Sequence, residues 1–552
     1  LVSAGMEDAE CIKEFLEPSF ESWTSLKSFP SLIKGSQVLF EAIKSKKKIC
    51  IHGDFDTDGV CATVILREFF KAIHAPCLCL IPTREEGHGI SEATVKRAHA
   101  LGAELIVSVD CGITAVEEAK MMKSLGMELV ITDHHIPDEE LPEALAITNP
   151  FIDGDDSFKV LSGAGVSLKL ALECARLFPP TRVQTEGFQG FIHMGTALAA
   201  IATIGDVVPL VGYNRSLLSK ALPLLNDVKN PGLQALLKIC HLNHGIKSED
   251  LAFQLIPRLN AAQRMEQGEL VWELLASEDD AEAMALARKL NDLNEKRKEL
   301  QQRLSRRILD ELSARYGQED PPSAIVVEGY DWLEGLSGLI ASKVCETYGR
   351  PALVVLIKEG LGQGSCRAPL GYHLKEALDE CAELLVSYGG HAQAAGFRIH
   401  ESKLADFKEK IAAVMTDQIQ NKQLTDSLNP KLQIVAEIPW PQVNRSLYEE
   451  LGKLEPFGEA NRKPLFATRG LLIDGNPRYI GKDKNHIIVS LFKPGQESVD
   501  AIGFGMAKVL KSLDLHSKID ICYTIGLSRY NNKVQLQIEG MRMSRVEMAG
   551  RV

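Results

Sequence analysis

What this chain lacks narrows it quickly. No apolar run reaches the roughly 18 residues needed to cross a bilayer, so a membrane protein is not expected. No secretory signal stands near the N-terminus, although the chain opens at Leu1 rather than Met. No Cys-x-x-Cys occurs among the 12 cysteines, and Cys77 and Cys79 are the only close pair. That argues against structural zinc and a disulfide framework, and for a reducing, cytoplasmic compartment. There is no excess of positive charge either: 62 Lys and Arg against 74 Asp and Glu leave −12. A nucleic-acid partner would therefore be held by local basic patches. What remains is an ordinary globular composition, 45% hydrophobic and 25% charged, over 552 residues. That length suits about three or four domains, each with its own core.

Three polar clusters each close an apolar run. His52-Gly53-Asp54-Phe55-Asp56-Thr57-Asp58-Gly59 follows Lys48–Ile51, Asp110-Cys111-Gly112 follows Leu105–Val109, and Asp133-His134-His135 follows Leu129–Thr132. In an open parallel α/β sheet, ligands gather outside the carboxyl ends of the strands. Oxygen and imidazole groups converging there suit Mn²⁺ or Mg²⁺ better than a thiolate zinc site.

Each cluster alone has a plainer explanation. The Asp-x-Asp-x-Asp-Gly run could be a calcium loop, but Val60 to Arg67 supplies none of the later ligands. Asp110-Cys111-Gly112 could be a strand-end turn, and the paired His a helix cap. Their coincidence within about ninety residues favours one shared metal site. Ala197–Ile204 then leads into Gly205-Asp206, a fourth acid at the end of an apolar element.

Strands alternating with helices such as Val60–Ala72 and Ala115–Leu125 predict a doubly wound parallel sheet from Lys48 to about Leu210. Short amphipathic helices are expected to precede it. From Glu278 to Tyr316 there is no Pro or Gly, and Leu286, Leu290, Leu293, Leu300, Leu304, Ile308 and Leu312 recur at helical spacing. A helix of that length would extend about 58 Å and could join two lobes. A coiled-coil seam fits less well, because Arg297 interrupts the stripe. A second α/β unit follows, with strands Ala324–Val327 and Pro351–Ile357 around a helix at Gly338–Tyr348. Gly360, Gly362 and Gly364, taken with Ser365 and Arg367, suggest an anion pocket on a loop. Gly389-Gly390-His391 and Ala394–Gly396 could be a second site or tight packing. Five strands are expected at Phe466–Ile473, His486–Phe492, Val499–Phe504, Ile519–Ile525 and Val534–Ile538, with a helix near Met506–Leu513. That pattern suits an OB-type β-barrel for single-stranded nucleic acid. Lys482, Lys484, Arg529, Tyr530 and Lys533 would sit on its loops, where they could touch a strand or simply be solvated.

In motif order, Asp54–Gly59, Val109–Gly112, Asp133–His135, Gly205–Leu210, Pro257–Met265 and Gly389–Gly396 resemble the DHH phosphoesterases. The long connector, the Pro-Arg-Leu-Asn-Ala-Ala segment, the terminal barrel and its entry at Leu454–Gly458 resemble the branch of bacterial single-strand-specific 5′→3′ exonucleases. The resemblance implies an α/β fold: a parallel-sheet DHH catalytic domain and a second α/β lobe joined by a long helix, plus the barrel. The expected boundaries are an N-terminal helical segment 1–45, the catalytic domain 46–277, the connector 278–318, a DHHA1-type domain 319–420 and the barrel 430–545.

The resemblance also implies roles. Asp54, Asp56, Asp58, Asp110, His134 and Asp206 would hold two Mn²⁺ or Mg²⁺ ions, with Asp110 bridging. Asp110, His134 and His135 would be catalytic, His135 contacting the scissile phosphate, and His52 could be an extra ligand. Arg84, Arg264, Ser365, Arg367 and His391 would bind substrate, the first four around a terminal 5′-phosphate. The implied product is the 5′-mononucleotide, in DNA repair and recombination. Implied partners are single-stranded DNA, single-strand-binding protein and a RecQ-type helicase, acting on a monomer. The pattern departs from the family at Gln263 (usually Gly), His88 (Tyr), Leu333 (His) and Ala368 (Ser), none of them an implied metal ligand. Two rivals remain: a phosphodiesterase for short oligonucleotides or cyclic dinucleotides, which would not need the barrel, and a non-catalytic replication scaffold, which would be expected to have lost ligands.

Overall fold

The computed structural model describes residues 6, 8–19, 29–82, 86–87, 89–317, 320–421, 432–481, 483–528 and 530–544. The chain divides into two compact units. One comprises Thr24–Val208 and Lys220–Lys431. The other comprises Leu1–Trp23, Pro209–Ser219 and Leu432–Val552.

The larger unit contains two sheets. The first is built from β1 (Ile49–Gly53), β2 (Leu78–Leu80), β3 (Leu105–Val109), β4 (Glu128–Thr132) and β5 (Ala146–Thr148), in the order β2-β1-β3-β4-β5. All four pairings are parallel, as the alternation of strands and helices predicts. β1 and β3 are buried along their whole length, which is why both are apolar on either face rather than alternating. Register positions the site: Gly53 pairs with Val109, and Val109 with Thr132. The next residues, Asp54, Asp110 and Asp133, therefore leave the sheet side by side, one strand spacing of about 4.8 Å apart.

Helices Thr57–Ala72, Gly163–Ala175 and Glu186–Gly205 pack together on this sheet's side of the unit. The last of these corrects the membrane criterion. By length and composition it is apolar enough to cross a bilayer, and 67% of its apolar window is buried inside the protein instead. It serves as a core helix.

The second sheet holds β6 (Ile325–Gly329), β7 (Ala352–Lys358), β8 (Leu361–Arg367), β9 (Ser387–Gly390) and β10 (Ala394–His400), in the order β6-β7-β8-β10-β9. Only β6–β7 is parallel. The expected glycine loop is a strand: Gly362 and Gly364 lie inside β8, paired to both neighbours. A Cβ at Gly364 would lie 2.2 Å from the Phe397 ring, so this glycine makes room for packing rather than cradling an anion. Between the two sheets runs the connector helix, Asp280–Tyr316, capped by the Asp279 carboxylate on the Glu282 N–H. Its first half packs on helices Pro231–Ile239, Ile256–Arg264 and Glu269–Ala276. Leu304, Ile308 and Leu312 enter the core of the second sheet. The connector reading holds, and Arg297 bonds along its own helix to Asn294 and Gln301.

The smaller unit holds β11 (Ala436–Glu437), β12 (Phe466–Ile480), β13 (His486–Phe492), β14 (Val499–Gly503), β15 (Ile519–Leu527) and β16 (Val534–Met543). Because β12 pairs with both β13 and β15, the five longer strands close into a ring, and β11 adds a short parallel strand. The helix expected before β15 is present as Ala507–Lys511. Of the N-terminal helices, Pro30–Lys44 leads into β1 as expected, whereas Ala9–Leu16 belongs to the ring-bearing unit. Arg215 holds it there. The guanidinium is buried and donates to the carbonyls of Phe15, Leu454 and Lys453, 3.8 Å from the Phe15 ring centre.

Candidate metal centre

The loop after β1 turns directly into a helix. Asp56 is its N-cap, accepting from the Gly59 N–H at 3.0 Å, which is the local reason the chain turns there. Asp54 accepts from the Phe55 N–H at 2.7 Å. Asp58, in the first helical turn, points at a second helix N-terminus. Its two oxygens accept from Gly163 N–H and Ala164 N–H, both at 2.8 Å. Asp110 sits at φ +60 beyond β3, a left-handed backbone that Asp tolerates better than most residues.

Asp133 is wholly buried and receives N–H bonds from Ile113, His134 and His135, plus the His135 Nδ1 at 2.8 Å. Those donors outweigh its burial and hold its carboxyl below the usual range. It is a positioning group. In return it pushes the His135 imidazole up to about 9.

His134 is the pivot. Its Nδ1 lies 3.1 Å from the Leu161 carbonyl, which can only accept, so Nδ1 carries the proton. Its Nε2 edge then faces Asp110 Oδ1 (3.2 Å), Asp206 Oδ2 (3.7 Å) and Asp58 Oδ2 (3.8 Å). The buried Asp110 Oδ1 has no hydrogen-bond donor among the described residues. Burial, then its crowded carboxylate neighbours, push Asp110 well above the ordinary range. Burial and Asp58 push Asp206 up to about 6. Divalent cations resolve this arrangement: they bind imidazole nitrogen and neutralise the carboxylates. The donor set, all oxygen and imidazole, fits Mn²⁺ or Mg²⁺.

Two ligand groupings emerge, Asp110–His134–His135 and Asp58–His134–Asp206. Thus the structure brings Asp58, Asp110, His134, His135 and Asp206 together. Asp54 and Asp56 fall outside both groupings, though their charges act on Asp110. His52 turns Nε2 to the Gly89 carbonyl at 3.1 Å and is also outside them.

On the second lobe, Ser365 and Arg367 occupy the same face of β8. Arg367 donates to the Cys366 carbonyl, and a Cβ at Gly338 would lie 3.3 Å from its Nη2, which places the guanidinium against the first turn of helix Ser337–Tyr348. Arg264 Nη1 approaches the Gly335 carbonyl at 3.5 Å. His391 is exposed. Of the departures, Gln263 and Leu333 are partly buried and Ala368 is buried. Arg84, His88, Lys482 and Arg529 lie outside the described residues.

Sequence reasoning missed the second helix N-terminus. Ser162 caps that helix by accepting from the Gly165 N–H, and the small residues Gly163 and Ala164 let it approach the carboxylates. A capping serine before a run of small residues was the available signal. It also missed Asn260, whose side-chain oxygen accepts from Thr57 Oγ1 at 2.5 Å.

Family models match in three places: the DHH family N-terminal domain at residues 48–196, a DHHA1 domain at 322–417, and a RecJ OB domain at 434–540. The chain is 32% identical to the single-stranded-DNA-specific exonuclease RecJ of Bacillus subtilis, over 99% of this chain and 67% of that protein. It is 30% identical to the RecJ of Dickeya dadantii, over 95% of this chain and 92% of that protein. Among solved structures it is similar to RecJ from Thermus thermophilus in complex with Mn²⁺. There the TM-score is 0.80 at 28% identity, covering 99% of this chain and 75% of that one. The same protein in complex with Mg²⁺ matches with a TM-score of 0.73 at 26% identity, covering 99% of this chain and 74% of that one.

Proposed function

This chain belongs to the RecJ family, and from that premise we propose that it is a metal-dependent exonuclease degrading single-stranded DNA from the 5′ end to 5′-mononucleotides, in DNA repair and recombination. The observation that carries this is the convergence of His134 Nε2 with Asp58, Asp110 and Asp206. Asp54, Asp56, Asp58, Asp110, His134 and Asp206 would hold two Mn²⁺ or Mg²⁺ ions. Such a pair lowers the pKa of a shared water and neutralises both the attacking and leaving oxygens of a phosphodiester.

The remaining steps belong to side chains. Asp133 holds His135 by Nδ1, which leaves its Nε2 edge to meet a non-bridging phosphate oxygen. Arg367, with the N-terminus of helix Ser337–Tyr348, receives the terminal 5′-phosphate, supported by Ser365, Arg264 and Arg84. His391 meets the substrate from the second lobe. The domain division at 46–277, 319–420 and 430–545 assigns chemistry, end recognition and strand retention in turn. The enzyme works as a cytoplasmic monomer on strands supplied by a RecQ-type helicase and coated by single-strand-binding protein.

One oligonucleotide labelled at either end, single- or double-stranded, with Mn²⁺ or Mg²⁺, tests this directly. Release of labelled mononucleotide first from the 5′ end of the single strand is expected. Preferential loss from the 3′ end, or equal attack on duplex, would overturn it.

A further inference from the structure

Two exposed apolar side chains stand on the segments that meet at the helix end presenting Asp206, and each stands on unusual backbone. Val207 follows Asp206 directly, at φ +59 and 65% exposed. A β-branched residue in left-handed backbone is strained, and its apolar surface faces water. Phe253 is 79% exposed, in the middle of a widened helical turn at Leu251–Leu255. There the Ile256 N–H bonds the Leu251 carbonyl five residues back. Pro257 accounts for the width, because in a regular α-helix its ring would collide with the Phe253 carbonyl. The width does not account for the ring being in solvent, since Leu251 and Leu255 on the same turn are fully buried.

The helix that continues from that turn meets the metal cluster at two points. A Cβ at Gly205, the residue before Asp206, would lie 3.3 Å from Thr57 and 3.8 Å from Ile256. Thr57, between Asp56 and Asp58, also donates to Asn260 on the helix that continues from the turn. Phe253 is thus one turn from a residue packed against the Asp206 helix end. Widened turns and strained non-glycine residues concentrate at functional sites.

We infer that Phe253 and Val207 form an apolar ledge that receives an unpaired nucleobase of the strand whose phosphodiester lies at the metal cluster. The inference rests on the exonuclease reading. A phosphate held beside Asp206 brings its own base within several ångströms, and an aromatic face takes any base, because each has a π surface. A paired base cannot lie on the ledge without leaving its partner, so the ledge selects for single strands by stacking.

The test compares Phe253→Ala, Phe253→Trp and Val207→Asn in the full chain with Mn²⁺, on one 5′-phosphorylated oligonucleotide and on its counterpart with abasic residues at the first three positions. On the normal strand Phe253→Ala should lose about tenfold in kcat/KM, chiefly through KM, the scale of one base–aromatic stack. Val207→Asn, which suits left-handed backbone, should lose about threefold. Phe253→Trp should stay near wild type. On the abasic strand all four proteins should be within about twofold of each other. Equal losses on both strands, or none on either, would overturn the ledge. Wild-type protein inactive on both strands would instead overturn the exonuclease reading itself.

Discussion

A Cβ atom on Gly163 would lie 2.3 Å from Oδ1 of Asp110 and 2.5 Å from its Cβ. The helix opened by Gly163 is therefore pressed against the central carboxylate of the cluster, while the same N–H groups hold Asp58. Gly163→Ala should move Asp110 or the helix, at a cost of about 1–3 kcal/mol in stability as an overpacked core. Hydrolysis should fall more than a hundredfold. Unchanged Mn²⁺-dependent turnover and thermal midpoint would show that the contact relaxes freely.

Asp110→Ala should abolish hydrolysis in a folded protein, because it removes the shared ligand. A second readout is independent of turnover: the rise in thermal midpoint on adding Mn²⁺ should shrink or vanish, since a weaker ligand set binds the native state less tightly. Near-normal turnover at saturating Mn²⁺ contradicts the two-metal assignment.

Arg367→Ala should impair strands bearing a 5′-phosphate by tenfold or more and leave a small chromogenic diester nearly unaffected. A guanidinium at a helix N-terminus recognises a terminal phosphate rather than the scissile bond. Equal loss on both substrates would move Arg367 into the chemical step.

Tyr530 is fully exposed at the tip between β15 and β16, with Lys533 exposed beside it. Tyr530→Ala should weaken binding of long single strands about fivefold without altering the thermal midpoint. Adding Lys484→Ala and Lys533→Ala should flatten the salt dependence of binding. Unchanged affinity and salt slope would leave the ring a structural or partner-binding role.

Lys169 is 5% exposed, 5.1 Å from the Phe158 ring centre, and burial pushes its ammonium down to about 8. In the unfolded chain it titrates near 10.4. Between those values the unfolded state binds more protons, so this residue makes stability rise with pH across that window, and its full cost falls below pH 8. Lys169→Met should therefore stabilise by roughly 1–3 kcal/mol at pH 7, fading towards pH 10. Denaturant melts of both proteins at pH 7 and 10 check the sign.

The parallel sheet was legible because β1, β3 and β4 are largely apolar and each ends abruptly at an aspartate. Asp54, Asp110 and Asp133 could be read as neighbours because parallel register keeps strand ends level. The connector was legible from the absence of Pro and Gly over some forty residues. What the sequence concealed was contact made at a distance. Nothing local to Gly163 announces Asp58, 105 residues earlier. The glycines of β8 look like a loop in one dimension and prove to be clearance for Phe397 across the pairing. Val207 reads as one more apolar residue, because backbone handedness leaves no mark in composition.

Arg215 sets a timetable for the growing chain. Its carbonyl partners at Phe15 and Leu454 lie 200 residues before it and 239 after it. During synthesis the first arrives early, but the other side of the socket does not exist until 239 residues after Arg215. Until then a guanidinium destined for burial stays in water, and residues 209–219, beginning three positions after Asp206, have no ring-bearing unit to join. A nascent chain released before Leu454 therefore carries the parallel sheet but leaves the segment next to Asp206 unanchored, which ties completion of that neighbourhood to residues made much later.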